Sequence, residues 1–342
     1  MRSMKQSNDI KFAMIIDGCV QRSYFVKDGK SYKLKSDNLT PYRHHHSIGN
    51  ECHLGLWNYP FLFEGGHFIN WTEWKELPNL DLDLILIALE RYHDRYNIDM
   101  VRKAYPNATI VSFCKESYWT RYSPEQRIDF FSKCDRVTFP WLVEDDQYGG
   151  IMGLNQLTQL TGKQAHHLSY PFNIEYLYDK YYQEERPKQI LSYKSPEAGH
   201  DGKRSEGTST FADRMGQKYD IEVVQKIVSN PGLNPDHPTW ELFLDAIKDT
   251  MFCFNLDSTP YGGTMGVQCA ALGLLNIGGI QDSHRLLWSD TATNDESKLE
   301  QIFSDIIQNP EKHHSILQNA YNKANELYSI TAVRNKLLKI IE

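Results

Sequence analysis

Residues 251 to 279, reading MFCFNLDSTPYGGTMGVQCAALGLLNIGG, constrain the fold more than any other stretch of the chain. The apolar run Met251 to Leu256 reads as a buried strand and Asp257 to Gly263 as its turn. Thr264 then caps a helix over Met265 to Leu272 that stops at Gly273. A second apolar run, Leu274 to Ile277, follows at once, which makes the segment part of a parallel sheet with a short crossover helix. Gly262 and Gly263 let the backbone approach a ligand closely where the unsatisfied N–H groups of a helix start attract anions, so phosphate is the guest this unit suits. The same glycines also serve a plain tight turn.

Strand and helix alternate on both sides of a break. In the first half Lys11 to Asp17, Leu82 to Leu89 and Ala108 to Cys114 are apolar strands, with weaker ones at Asp135 to Phe139 and Gln164 to Tyr170. Helical periodicity occupies Asp94 to Tyr105 and Ser123 to Lys133, the latter opened by Ser123-Pro124-Glu125. Val20 to Glu76, rich in aromatics and turn residues, reads as a β-rich insertion or long loops. The segment Pro171 to Pro187, PFNIEYLYDKYYQEERP, interrupts the apolar pattern and predicts a domain boundary. Beyond it come strand Gln189 to Tyr193, helix Thr208 to Lys218, strand Ile221 to Val224 and helix Thr239 to Lys248. Helix Asp295 to Gln308 and a helical segment from Pro310 to Ile341 follow the 251 to 279 unit. This order predicts an α/β chain of two doubly wound domains, 1–180 and 181–342, each long enough for its own core.

The sequence TMGVQCAALGLLNIGG is similar to the C-terminal donor-binding motif of GT-B glycosyltransferases of the glycogen-synthase-like group. There a glycine turn opens a helix carrying E-A-x-A-x-G, followed by a P-V-I strand. Gln268, Ala270, Ala271, Gly273 and Asn276-Ile277 occupy the matching places. The resemblance covers roughly residues 187 to 342. It implies the GT-B fold, two Rossmann-like domains facing a central cleft, with the nucleotide sugar on the C-terminal domain and a last helix bracing the first. It further implies a hexosyltransferase-like glycosyltransferase that moves a sugar from a nucleotide-diphosphate donor to a glycan, lipid-linked or small-molecule acceptor. The subgroup is retaining and needs neither cofactor nor bound metal.

In that family two glutamates flank the turn, one addressing the donor sugar and the other the ribose. Pro260 and Gln268 stand in their places, and Asp257 is the carboxylate nearest the first. Gln268 can still donate to and accept from ribose hydroxyls. With both glutamates replaced, an inverting enzyme with a base such as Asp17 or a cleft histidine, and a nucleotide- or sugar-binding module without catalysis, stand beside the retaining reading. A phage-type DNA-base glucosyltransferase is the rival within the fold.

On this reading Gly262, Gly263 and the amides opening the helix at Thr264 hold the diphosphate, and Gln268 binds ribose. The loop Lys194 to Gly207, KSPEAGHDGKRSEG, offers Lys203 or Arg204 to balance the leaving diphosphate, or is a solvated charged loop. Asp17-Gly18 ends the first strand, where the family keeps glycines near the donor phosphates. Asp17 is a candidate base or a turn-capping carboxylate. Asp257 is the candidate for the transferred sugar. His44-His45-His46, Cys52 and His53 match no zinc pattern and read as a loop. Lys115-Glu116, Trp119 and Trp141 suit the cleft or the core equally.

Composition narrows the classes further. With 37 basic against 44 acidic residues the formal charge is −7, which disfavours a generic basic surface for nucleic acid. Six cysteines without a CxxC pair read as reduced core residues. MRSMKQSNDIK carries no apolar signal region and no segment reaches the roughly 20 apolar residues of a membrane span, so a cytoplasmic location is expected.

Overall fold

The computed structural model describes residues 9–17, 24–27, 30–33, 56–71, 76–89, 96–113, 123–140, 142, 153–194, 206–227, 247–257 and 262–342. The chain divides into two compact units, one of residues 1–172 with 330–342 and one of residues 173–329.

The first unit is built on a six-stranded parallel sheet in the order β4-β1-β5-β6-β7-β8. These strands are β1 (Phe12–Asp17), β4 (His67–Asn70), β5 (Leu84–Leu89), β6 (Thr109–Phe113), β7 (Arg136–Phe139) and β8 (Ala165–His167). A separate antiparallel pair joins β2 (Tyr24–Lys27) to β3 (Lys30–Lys33). All six residues of β5 are buried, as a strand covered on both faces requires. Helices α1 (Ile98–Ala104), α2 (Pro124–Lys133) and α3 (Leu154–Thr161) alternate with the strands. Ser123 caps α2 in a reciprocal box with Gln126, and Pro124 fills the first helical position. The segment read as a β-rich insertion or loops holds more than that, since β4 pairs with β1 and forms an edge of the main sheet.

The last helix, α10 (Ile330–Ile341), belongs to this first unit. Arg136 Nε donates to Ile340 O at 2.8 Å, and Lys336 Nζ lies 2.9 Å from His167 Nδ1. His167 in turn places Nε2 3.1 Å from Pro140 O, so its ring donates to Pro140 and accepts from Lys336. Burial, reinforced by the Lys336 charge, pushes the His167 pKa down to about 3 and keeps the ring neutral.

The second unit carries a four-stranded parallel sheet in the order β10-β9-β11-β12. Its strands are β9 (Gln189–Lys194), β10 (Glu222–Ile227), β11 (Phe252–Phe254) and β12 (Leu275–Ile277). Around them lie α4 (Ile174–Tyr181), α5 (Glu206–Tyr219), α6 (Thr264–Leu272), α7 (Asp282–Leu287), α8 (Glu296–Gln308) and α9 (Pro310–Tyr328). One of these helices, α4, occupies a stretch whose sequence reads as a break. The single helical segment expected from Pro310 to Ile341 is two helices that part at Ser329. Most of the helix expected at Thr239 to Lys248 lies outside the described residues.

One side chain gathers much of the second unit's backbone. Arg186 Nη2 donates to Tyr181 O at 3.1 Å and to Leu272 O, its Nη1 to Lys248 O and to Thr250 O at 3.3 Å, and its Nε to Gln183 O at 3.4 Å. The guanidinium is half-buried, and burial lowers its pKa to about 10, so it remains charged at neutral pH. Arg186→Met removes five donors at once and is expected to lower the unfolding free energy by about 3 kcal/mol or more. Urea unfolding followed by tryptophan fluorescence measures this, and a loss below about 1 kcal/mol would show that water replaces the guanidinium.

Candidate functional site

In the second unit the connection from β9 leads to β10 on one side, whereas β11 lies on the other side of β9. The crevice at the carboxyl ends of β9 and β11 is therefore the switch point of a doubly wound sheet, where ligands bind in this architecture. Asn255, Leu256 and Asp257 leave β11 into it, and the glycine turn follows.

Gly262 and Gly263 both adopt left-handed conformations, with φ of 92° and 93°. The helix starts one residue earlier than the sequence suggests. Gly263, not Thr264, is the N-cap, and Thr264 is the first helical residue. A side chain is excluded at Gly263 for a second reason, because a β-carbon there would overlap Ser283 Oγ and stand 3.0 Å from Gln281 Cβ. At Gly262 the nearest atom to such a carbon is Gln281 Nε2 at 3.8 Å. Gly262→Ala is therefore expected to cost about 1 kcal/mol of strain, and Gly263→Ala about 2–3 kcal/mol through strain plus overlap. Chemical unfolding of the two variants gives the order, and equal losses would show that Ser283 yields.

Hydrogen bonds from the neighbouring turns hold this loop. Ser283 Oγ donates to Gly263 O at 2.6 Å, and Trp288 Nε1 to Gly266 O at 2.9 Å, so α7 grips the first turn of α6. Gln281 Nε2 donates to Asp257 Oδ2 at 3.2 Å, and Asn294 Nδ2 to Asp257 O at 3.2 Å. From α5, buried Thr208 Oγ1 accepts from Leu256 N at 3.0 Å. Ser192, at the end of β9, donates to Ser209 Oγ at 3.3 Å.

Gln268 lies one turn into α6. Residues Met265 to Leu272 are all buried, and Gln268 is 5% exposed.

His284 sits behind the turn, fully buried against Gly266 of α6 and Gly279 after β12, two positions where a β-carbon would overlap the ring. Among the described residues neither ring nitrogen has a partner at full hydrogen-bond geometry, the Gly278 backbone being its polar neighbour. Burial, opposed weakly by the Gly278 backbone, pushes its pKa down to about 4. A depressed histidine pKa means that the unfolded chain takes up a proton first as pH falls. The contribution of neutral His284 is thus complete above about 6.5 and is lost toward pH 4, by up to about 3 kcal/mol. The stability advantage of wild type over His284→Leu should shrink by that order across this window in pH-dependent urea unfolding. A constant difference would show that the ring finds a partner when charged.

Of the residues singled out from sequence, Asp257, Gly262, Gly263, Thr264 and Gln268 lie along the β11-to-α6 segment at this switch point. Asp17 lies in the first unit, where it ends β1 between β4 and β5, the switch point of that sheet. Gly18, Lys203 and Arg204 lie outside the described residues, as do the His44 to His53 group, Lys115-Glu116, Trp119 and Trp141. Among the described residues no group of three or more His, Cys, Asp or Glu side chains suits a metal ion, and no helix is long and apolar enough to cross a membrane. Cys134, Cys253 and Cys269 are buried and free. Sequence reasoning missed Gln281, Ser283, Thr208 and His284 as parts of the site. Only the closeness of Gln281 and Ser283 to the Gly278-Gly279 pair pointed to a second turn there.

No protein-family model matches the chain, and comparison with curated proteins gives no match. Solved structures do resemble it. An α-glucosyltransferase in complex with UDP and a 13-mer DNA containing a HMU base aligns with a TM-score of 0.56 at 10% identity, covering 96% of this chain and 98% of that one. Anabaena HepE in complex with UDP gives 0.51 at 9% identity over 97% and 99%. The N-terminal domain of Candida albicans trehalose-6-phosphate phosphatase gives 0.50 at 12% identity over 76% and 71%. At such identities the likeness is one of fold, and the fold is α/β with parallel sheets, that of the GT-B glycosyltransferases.

Proposed function

We propose that this chain is a GT-B-type glycosyltransferase whose second unit binds a nucleotide-diphosphate sugar and passes the sugar to an acceptor. The observation that carries the reading is the helix start opened by two left-handed glycines at a sheet switch point, with Gln268 one turn into that helix. The likeness to two proteins solved with UDP, HepE and the α-glucosyltransferase, supports it.

In this reading the amides following Gly262 and Gly263, at Thr264 and beyond, hold the diphosphate, with Lys203 or Arg204 balancing its charge as the glycosidic bond breaks. Gln268 pairs with the ribose hydroxyls. Asp257 addresses the transferred sugar, and no metal or cofactor is required. A retaining course follows from the subgroup that the motif resembles, whereas an inverting one assigns the base to Asp17. The acceptor is a glycan, a lipid-linked sugar or a small molecule. DNA is the second reading, favoured by the likeness to an α-glucosyltransferase solved with DNA and opposed by the net charge of −7.

Thermal stability against UDP, GDP, ADP, CMP and their sugar esters tests the donor site. A ligand at 100 times its Kd adds about 2.7 kcal/mol, so a true donor raises Tm by several degrees. Gln268→Met should weaken that nucleotide roughly tenfold or less, the loss of neutral hydrogen bonds. No stabilisation by any of these compounds would overturn the reading.

A further inference from the structure

One end of the first unit's sheet gathers cations without carboxylates. Residues 147–174, which hold α3 and the edge strand β8, contain no Asp or Glu, and neither do residues 330–341 of α10, in a chain with 44 acidic residues. Three side chains from three elements come within electrostatic reach of one another there: Arg136 at the start of β7, His166 in β8 and Lys336 in α10. Burial and then the Arg136 and Lys336 charges push the His166 pKa down, and burial pushes that of Lys336 down. Lysines elsewhere behave in the opposite way, since Asp81, Asp129 and Glu300 push Lys11, Lys133 and Lys218 up. The carboxylate nearest in sequence is engaged: Asp135 Oδ2 accepts from Arg102 Nη2 at 2.9 Å and from Ile110 N at 2.8 Å.

The protein uses only part of the cluster's donor capacity. Arg136 gives Nε to Ile340 O at 2.8 Å and Nη1 to Asp135 O at 3.1 Å, and Lys336 Nζ donates to His167 Nδ1 at 2.9 Å. A guanidinium carries five N–H donors and an ammonium three, so both side chains keep donors beyond these bonds. We propose that Arg136, His166 and Lys336 form a phosphate-binding site on the first unit. Inorganic phosphate or a phosphate monoester brings the negative charge that this end of the sheet omits, accepts from a guanidinium, an ammonium and an imidazolium together, and relieves their mutual repulsion. His166 takes up a proton as the anion binds, because the anion favours the charged ring that its two cationic neighbours disfavour. All three side chains are half-buried, so salt screens them less than the exposed Lys339 one turn further along α10. The site belongs to the first unit and does not depend on the donor-site reading.

Histidine-selective NMR of the full-length protein reads the site directly. Sodium phosphate should shift the His166 ring resonances and move its pKa upward, while sodium chloride at equal ionic strength should do neither. Lys336→Met keeps the length of the side chain and removes its charge, and should weaken the response to phosphate roughly tenfold, the loss of a charged hydrogen bond. Lys336→Arg, which keeps both the charge and a donor for His167, should retain it. Vesicles carrying phosphatidic acid identify the source of the phosphate. Co-sedimentation with them and not with phosphatidylcholine vesicles, lost in Lys336→Met, would assign a lipid headgroup, and no co-sedimentation with the His166 response intact would assign a soluble phosphate. A His166 pKa unmoved by phosphate, an equal response to chloride, or an undiminished response in Lys336→Met would overturn the site.

Discussion

The second unit is organised around a cation whose hydrogen-bonded partners, among the described residues, are all main-chain carbonyls. Arg186 spends its N–H groups on main-chain carbonyls of four segments: the end of α4 at Tyr181, the following turn at Gln183, the 248–250 turn before β11, and the end of α6 at Leu272. Helix C-termini leave carbonyls unsatisfied and carry partial negative charge, so a guanidinium placed among them meets both needs. Water could satisfy those oxygens one at a time but not hold the segments together. The planar fork does both.

What Arg186 does at one end of α6 determines what the other end is free to do. The helix is buried along Met265 to Leu272, its carbonyl end is neutralised, and its amide end opens through two left-handed glycines. Ser283 and Trp288 hold that end through carbonyl oxygens, Gly263 O and Gly266 O, while Gly266 N closes the first turn onto Gly263 O at 2.8 Å. A rigid helix with one electrostatic end satisfied by the protein and the other left for a ligand is preorganised for an anion. His284 fits the same logic from below. A neutral ring pressed between two glycines adds bulk and no charge beneath the glycine turn.

Much of this was legible because it is local. The strands β1, β5, β6, β11 and β12 are apolar runs that burial on both faces demands, and the unit from Met251 to Gly279 carries its turn, helix and stop within one contiguous stretch. Asp257, Gly262, Gly263 and Gln268 could be singled out for that reason. β4 escaped notice because His67-Phe68-Ile69-Asn70 is short, flanked by polar ends, and lies at a sheet edge. In α4 the buried residues Ile174, Leu177 and Tyr181 do recur at helical spacing, but the tyrosines and charges between them resemble a break. The roles of Gln281, Ser283, Thr208 and Asn294 were not legible, since each acts through a hydrogen bond across 15 or more positions. Their residue types are as common in any loop.

The chain passes from the first unit to the second after Phe172 and returns at Ile330, and these two points are joined by a hydrogen bond from Ile330 N to Phe172 O at 3.2 Å. The second unit is thus inserted within the sequence of the first, between residues that are neighbours. Residues 173–329 form one uninterrupted segment that can be excised whole, and the first unit can be closed behind it by a short splice between neighbouring residues. Gene fusion, swapping of the inserted unit and circular permutation all become simple at such a point, because the segment is contiguous in sequence.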